Sequence, residues 1–258
     1  MQVCEIYIAR SRYSSEDYAE FCHGLWEFSN RCYEKGGFTS DELPRELLIS
    51  SHLSATWGQM AQNGVLGYFH NSILNSWEDS GHRSYFLKEL ADEGLGLIGA
   101  DDHREIFRRI WALFEQNRFL LEELHGAGKF YAGGYLSPDI SEDIRKQASD
   151  LESEWYGEKF DETQRVFFNK HRTWLNSLNN FHVLDPEEYE QKMETLCASN
   201  PLRQERLHEL ERLRIVELAK YNAFNKKQAQ AKAAITRRAF NPTFFERMAD
   251  RLSKYVRS

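Results

Sequence analysis

Apolar residues recur at three- and four-residue steps through most of this chain, the period of a helix with one buried face. Leu48, His52, Leu53, Thr56, Trp57 and Met60 lie on one such stripe. Asn63-Gly64 marks its end, because both residue types tolerate positive φ. Gly67 gives a second close or flexible backbone point, and Tyr68 and Phe69 then form a ring-bearing turn expected to plug into the core. A second helix is predicted over residues 84–93, with Tyr85, Phe86, Leu87, Leu90 and Ala91 as its apolar content. Gly94, Gly96 and Gly99 are expected to break it. A third helix starts at Asp101 or Asp102 and turns Ile106, Phe107, Ile110, Trp111, Phe114, Leu121 and Leu124 inward.

The same pattern accounts for the flanks. Val3, Ile6, Tyr7 and Ile8 make residues 2–9 a short strand. Ser14 or Ser15 caps a helix that buries Tyr18, Phe21, Cys22, Leu25, Trp26 and Phe28 and stops at Gly36-Gly37. Ser40 or Asp41 opens the helix of the central stripe, with Pro44 in its tolerant first turn. Residues 126–135 carry four glycines but lack the order of a phosphate-cradling loop, so they read as a connection. Ser137-Pro138 is a helix start with proline at its first position. A helix over residues 162–180 turns Val166, Phe167, Trp174, Leu175, Leu178 and Phe181 inward. Asp185-Pro186 starts another, buried by Met193, Leu196 and Cys197 and ended by Asn200-Pro201. Residues 202–237 contain neither Pro nor Gly and read as one long helix, or two in line, with a seam of Leu207, Leu210, Leu213, Val216 and Ala223. Asn241-Pro242 opens a last helix with Phe244, Phe245, Met248 and Leu252 inward. The class is therefore all-α: a multi-helix globular bundle of 1–200 and a projecting basic C-terminal helical segment, 201–258.

Charge sharpens that division. The 258 residues carry −7 overall. Residues 1–200 hold 19 Lys/Arg against 34 Asp/Glu, which is −15, and residues 201–258 hold 14 against 6, which is +8. No apolar run approaches the roughly 20 residues of a membrane span, and the N-terminus lacks a basic signal-peptide start, so a cytoplasmic protein without a membrane role is expected. The four cysteines form no C-x-x-C pair, which excludes a zinc motif and a disulfide framework. No cofactor or metal motif is present.

The central stretch carries a resemblance. N-G-x-x-x-Y-F-x-N-S at Asn63–Ser72, then L-x-x-I-G-A at Leu95–Ala100 and an amphipathic helix, resembles the helical domain of the bacterial DNA-mimic protein family over residues 45–120. Val65 and Leu66 stand where the family pattern has Gly-Phe, and Ile73 and Leu74 where it has a glycine after Asn-Ser. The resemblance implies a non-enzymatic protein whose acidic surface occupies the DNA-binding face of a regulatory protein. Within the motif, Asn63, Gly64, Tyr68, Phe69, Asn71 and Gly99 read as structural, with Asn71 expected to bond a buried backbone group.

Acidic candidates cluster after residue 137: Asp139, Glu142, Asp143, Asp150, Glu152, Glu154, Glu158, Asp161 and Glu162, against Arg145, Lys146 and Lys159. Carboxylates three or four apart on a helix form rows at about 5–6 Å spacing, a scale suited to imitating a phosphate backbone. Such a surface calls for a basic or DNA-binding protein as partner. Two other classes fit: an immunity or antitoxin-like protein that neutralises a partner by contact, and an enzyme with a polar pocket around His70, Asn71 and His103. At the other end, Lys226, Lys227, Lys232, Arg237 and Arg238 are unrelieved by acid. They read as a solvated helix, as a contact with the acidic body in the same or another copy (a homo-oligomer through the C-terminal helix), or as a nucleic-acid site.

Overall fold

The computed structural model describes residues 2–74, 88–132, 135–216 and 218–221. The chain is all-α. It divides into two compact units, Met1–Arg203 and Gln204–Ser258. In the first, strand β1 (Ile6–Ala9) leads into a single turn α1 (Arg10–Tyr13), helix α2 (Tyr18–Glu34) and a 3-10 turn at Ser40–Glu42. Helix α3 (Arg45–Tyr68) runs into a π-helical turn, Phe69–Leu74. Then come α4 (Lys88–Leu97), α5 (Asp101–Gly126), the two-residue strands β2 (Tyr131–Ala132) and β3 (Tyr135–Leu136), α6 (Glu142–Tyr156), α7 (Phe160–Asn176), β4 (Phe181–Leu184) and α8 (Pro186–Ser199). In the second unit, residues 204–216 and 218–221 are helical, and Leu213, Ile215, Val216, Leu218 and Tyr221 are exposed.

Local chemistry explains most boundaries. Asp17, rather than Ser14 or Ser15, caps α2 by accepting from the Ala19 amide at 2.8 Å, while Ser15 Oγ accepts from Asp17 N. Thr39 and Glu42 close a reciprocal capping box around the 3-10 turn, and α3 starts after it, at Arg45, with Pro44 at the N-cap. Ser141, not Ser137-Pro138, caps α6 by accepting from Ile144 N. Proline 138 lies instead in the preceding turn, where Arg145 donates to the Ser137 and Ile140 carbonyls. Helix α8 begins at Pro186 as expected, although Asp185 spends its carboxylate on Arg10 at 2.7 Å rather than on the helix amides.

Three glycine expectations are revised. Gly64 kinks α3 without separating it into two elements. Gly94 and Gly96 lie inside α4, so they do not break it. A Cβ at Gly94 would come within 2.7 Å of Leu53 Cγ and 2.8 Å of Ile49 Cγ2, so this glycine lets α4 approach α3 closely. The helix ends at Leu97, and of the three glycines only Gly99, in the turn just beyond, takes a positive φ, 68°. Residues 84–87 of the predicted second helix, the long-helix positions from 222 on and the final helix lie outside the described residues. Val166 and Leu213, expected inward, are 48% and 40% exposed, and Trp26 is exposed too. Phe181 opens a strand rather than ending a helix. That strand, β4, pairs in parallel with β1, Ile6 facing Phe181 and Ala9 facing Leu184.

The core is aromatic. Trp57 stacks on Phe167 at 4.5 Å and meets Tyr18, Trp155 and Tyr156 within about 6 Å. One polar node sits inside it. His171 is fully buried; its Nδ1 lies 3.0 Å from the Tyr18 hydroxyl and its Nε2 2.8 Å from Ser50 Oγ. Both ring nitrogens are thus satisfied, as burial requires. Burial also holds the imidazole neutral, its pKa pushed down to about 3. His52, half-buried on α3, bonds the Leu48 carbonyl at 2.7 Å, as a core-facing histidine should.

Because the folded state resists protonation of His171 while the unfolded chain takes a proton near pH 6.5, stability is complete above that pH and falls through the window from 6.5 towards 3. Each unit in that window costs up to about 1.4 kcal/mol. His171→Gln lowers stability at pH 7 by about 1–3 kcal/mol through the broken node. Its deficit against the parent protein narrows as pH falls from 6.5 to 4.5 in urea melts. A constant deficit across that range contradicts the neutral-histidine assignment.

Candidate functional site

The Asn-Gly motif sits at the kink of α3. Gly64 has φ 65° and ψ −176°, a conformation essentially confined to glycine. It redirects the chain so that Tyr68 and Phe69 enter the core, both fully buried, with Phe69 5.2 Å from Phe114 on α5. Asn63 and Asn71 stay outside, while Ser72 is buried. Asn63 Nδ2 donates to Gln59 Oε1 at 3.0 Å, and Asn71 Nδ2 donates to the same oxygen at 3.3 Å. Asn71 Oδ1 lies 3.0 Å from His70 Nδ1, which places the proton on that ring nitrogen. Asn71 is therefore an exposed link in a side-chain chain, and does not bond a buried backbone group. His70 continues the chain to the rings of His125 at 5.2 Å and of Phe130 and Tyr131 at 4.9 Å. Gln59 and His125 carried no signal in the sequence, since they join the motif only through the fold.

His103 does not belong to this group. It sits 22 residues before His125 on α5, which at 1.5 Å per residue is roughly 33 Å along the axis. Its ring lies against Trp155 at 4.9 Å and Trp57 at 5.8 Å, and burial lowers its pKa. The expected pocket of His70, Asn71 and His103 is thus not assembled. Among the described residues there is also no group of three or more His, Cys, Asp or Glu able to hold a metal ion, and no helix long and apolar enough to cross a membrane.

The acidic candidates lie on α6 and its two ends. Ile144, Ala148, Leu151 and Trp155 bury one face of α6. Asp143, Asp150 and Glu154 recur at steps of seven and four along one flank of that face, and all three are exposed. At 1.5 Å per residue, Asp143 and Asp150 are about 10 Å apart along the axis and Glu154 about 6 Å further. Glu154 is engaged: Arg109 of α5 grips both its oxygens at 2.5 and 2.8 Å and holds its pKa below the usual range. Glu152 projects from another side, its carboxylate so close to Gly64 that a Cβ there would meet Oε2 at 2.5 Å. Asp139 and Glu142, near the start of α6, are exposed, as are Glu158, Asp161 and Glu162, the last 3.4 Å from Lys159. The basic candidates Lys226, Lys227, Lys232, Arg237 and Arg238 lie outside the described residues.

Gly64→Ala forces a side chain into the left-handed region and onto the Glu152 carboxylate; it costs about 1–3 kcal/mol in denaturant melts. Gly58→Ala, in the same helix with open space around it, is neutral or stabilises by up to about 1 kcal/mol. Equal effects at the two positions contradict the special backbone role of Gly64.

No curated protein and no solved structure matches the chain at a significant level. The model of one family, described as DMP19-like protein, matches residues 41–178, from the 3-10 turn before α3 to just past α7. That match spans more than half of the 258 residues and takes in the kinked motif, the Trp57, Trp155 and Phe167 rings of the core and the acidic candidates together, and the chain belongs to the DMP19-like protein family.

Proposed function

We propose that the protein is a non-enzymatic binder that presents the carboxylates of α6 and the first turn of α7 to the DNA-binding face of a regulatory protein. Membership of a DNA-mimic family carries the reading. The exposure of Asp139, Glu142, Asp143, Asp150, Glu158, Asp161 and Glu162 supports it. Magnitudes limit the form that mimicry takes. Duplex DNA offers a charge every 1.7 Å or so of its axis, whereas Asp143 and Asp150, the carboxylates of that α6 row without a cationic partner among the described ion pairs, are about 10 Å apart. Glu154 is already neutralised by Arg109. The face therefore places a few point charges against chosen cations and does not reproduce a continuous phosphate line. Asp143 and Asp150 carry most of the effect. Glu152, set against the α3 kink, contributes packing. The +8 segment 201–258 adds nothing to a nucleic-acid imitation and serves, in this reading, as a separate docking or self-association element.

The test is capture of partners from nuclease-treated lysate on the immobilised full-length protein, eluted with rising salt. A basic DNA-binding protein elutes at moderate salt, because exposed charge contacts are screened over about 8–10 Å. Asp143→Lys with Asp150→Lys weakens that partner by about tenfold or more. Arg109→Gln frees Glu154 and strengthens it at low salt. A partner that ignores the double reversal and survives high salt contradicts the acidic-face reading and favours a toxin-neutralising contact.

A further inference from the structure

The second unit, helical over residues 204–216 and 218–221, leaves Leu213, Ile215, Val216, Leu218 and Tyr221 exposed, with Ile215, Leu218 and Tyr221 at 61%, 60% and 62%. So many large apolar side chains in one short stretch are unlike the single ones scattered over an ordinary surface. A helix draws most of its stability from packing an apolar face rather than from propensity, so this one calls for a neighbour. The stretch lies beyond residues 41–178, the part matched by the family model.

The order of residues along the helix selects that neighbour. Leu207, Leu210, Arg214, Glu217, Tyr221 and Phe224 follow one another at alternating steps of three and four, the spacing of a seam between two helices. Leu207 and Leu210 are half-buried, and Arg214 and Tyr221 are exposed. Glu217 and Phe224 lie outside the described residues and enter by sequence position alone. Reversed, the seam matches itself. Antiparallel about a two-fold axis between Ile215 and Val216, it sets Leu207 against Phe224, Leu210 against Tyr221 and Arg214 against Glu217. Parallel, it sets Arg214 on Arg214 and Glu217 on Glu217, and like charges so placed repel. Charge along the whole stretch has the same polarity. Residues 204–211 hold one arginine against three glutamates, and residues 212–221 hold three Lys/Arg against one glutamate. An antiparallel copy therefore lays each half along its opposite in sign.

We propose that the second unit pairs with the same unit of a second copy, as an antiparallel two-helix seam whose register is set by reciprocal Arg214–Glu217 contacts. The pairing is independent of the acidic-face reading, so either can fail without the other. A charged pair within a seam adds little stability compared with an apolar one; what it selects is register and direction. The apolar layers on either side of it supply the grip.

The test is sedimentation of the full-length protein over a series of concentrations, where a monomer–dimer equilibrium is expected. Arg214→Glu and Glu217→Arg each bring like charges together in both central layers, and each weakens the dimer by about tenfold or more. Mixing the two variants restores it, because every central layer then joins a Glu to an Arg. Leu210→Gln combined with Tyr221→Gln also dissociates it, while the near-ultraviolet circular dichroism of the buried rings in the first unit stays unchanged. A protein that remains monomeric at every concentration refutes the proposal. A dimer indifferent to both single charge variants also refutes it, since the contact then lies elsewhere or runs parallel. Single variants that weaken the dimer without rescue on mixing contradict the reciprocal pairing and overturn it too.

Discussion

A neutral imidazole sealed in an aromatic core holds this fold together. His171 is bound on both sides, by Tyr18 of α2 and Ser50 of α3, and three helices must keep their positions for both bonds to form. The ring stack of Trp57 on Phe167 fastens the same pair α3 and α7 a second time. Ser50 and Trp57 are seven residues apart and Phe167 and His171 four, so the two contacts fix both the rotation and the tilt of one helix on the other. Near this centre Arg172 lies over the Phe168 ring at 4.1 Å and donates to the Ser15 carbonyl, closing the α2 entrance.

The outward surfaces inherit their arrangement from that centre. With Phe167, His171 and Leu175 inward, α7 turns Val166 and Lys170 towards the end of α4. With Trp155 packed on Trp57 at 5.9 Å, α6 turns Asp143 and Asp150 to solvent. The Gly64 kink buries Tyr68 and Phe69 and leaves Asn63 and Asn71 outside, joined through Gln59. Arginines then decide which carboxylates carry an uncompensated charge. Arg109 removes Glu154 from the free set. Asp92 is pinned from two sides: burial opposes its ionisation, yet Arg108 and Arg104 outweigh it and hold the carboxyl at about 2. The −15 of residues 1–200 is thus an overcount of what a partner would feel.

Helical periodicity made the long helices legible from the residues alone. The faces of α3 and α5 and the start of α8 stand where the pattern puts them, because each buries a stripe that no other element type would bury. What escaped was non-local. Strand β1 lies within the stretch 2–9 that the residues marked as a strand, but its partner β4 is four residues long and pairs with it across more than 170 positions, too short for a pattern and too far for a turn signal. Gly94 looks like a breaker in sequence, and only the packing of Ile49 and Leu53 shows it as a point of close approach. Val166 precedes two phenylalanines, and its neighbours' hydrophobicity hid its outward direction. For the candidate site, exposure of the acidic run was readable from its composition. The Arg109 clamp on Glu154 and the pairing of His70 with His125 were not, since their partners come from distant elements.

The proposed function is a surface that takes the place of nucleic acid on a basic protein, and family membership and the exposed carboxylates are what support it. Occupation of one face by two ligands is mutually exclusive, and that exclusion is the most direct quantity to measure. The complex recovered from nuclease-treated lysate should be challenged with duplex DNA at fixed ionic strength, and the bound fractions followed by size-exclusion chromatography. Displacement of this protein by DNA, with an apparent affinity that falls in proportion to the DNA present, is the result expected from a shared face. A stable ternary complex of partner, DNA and this protein contradicts it, and places the contact elsewhere on the partner.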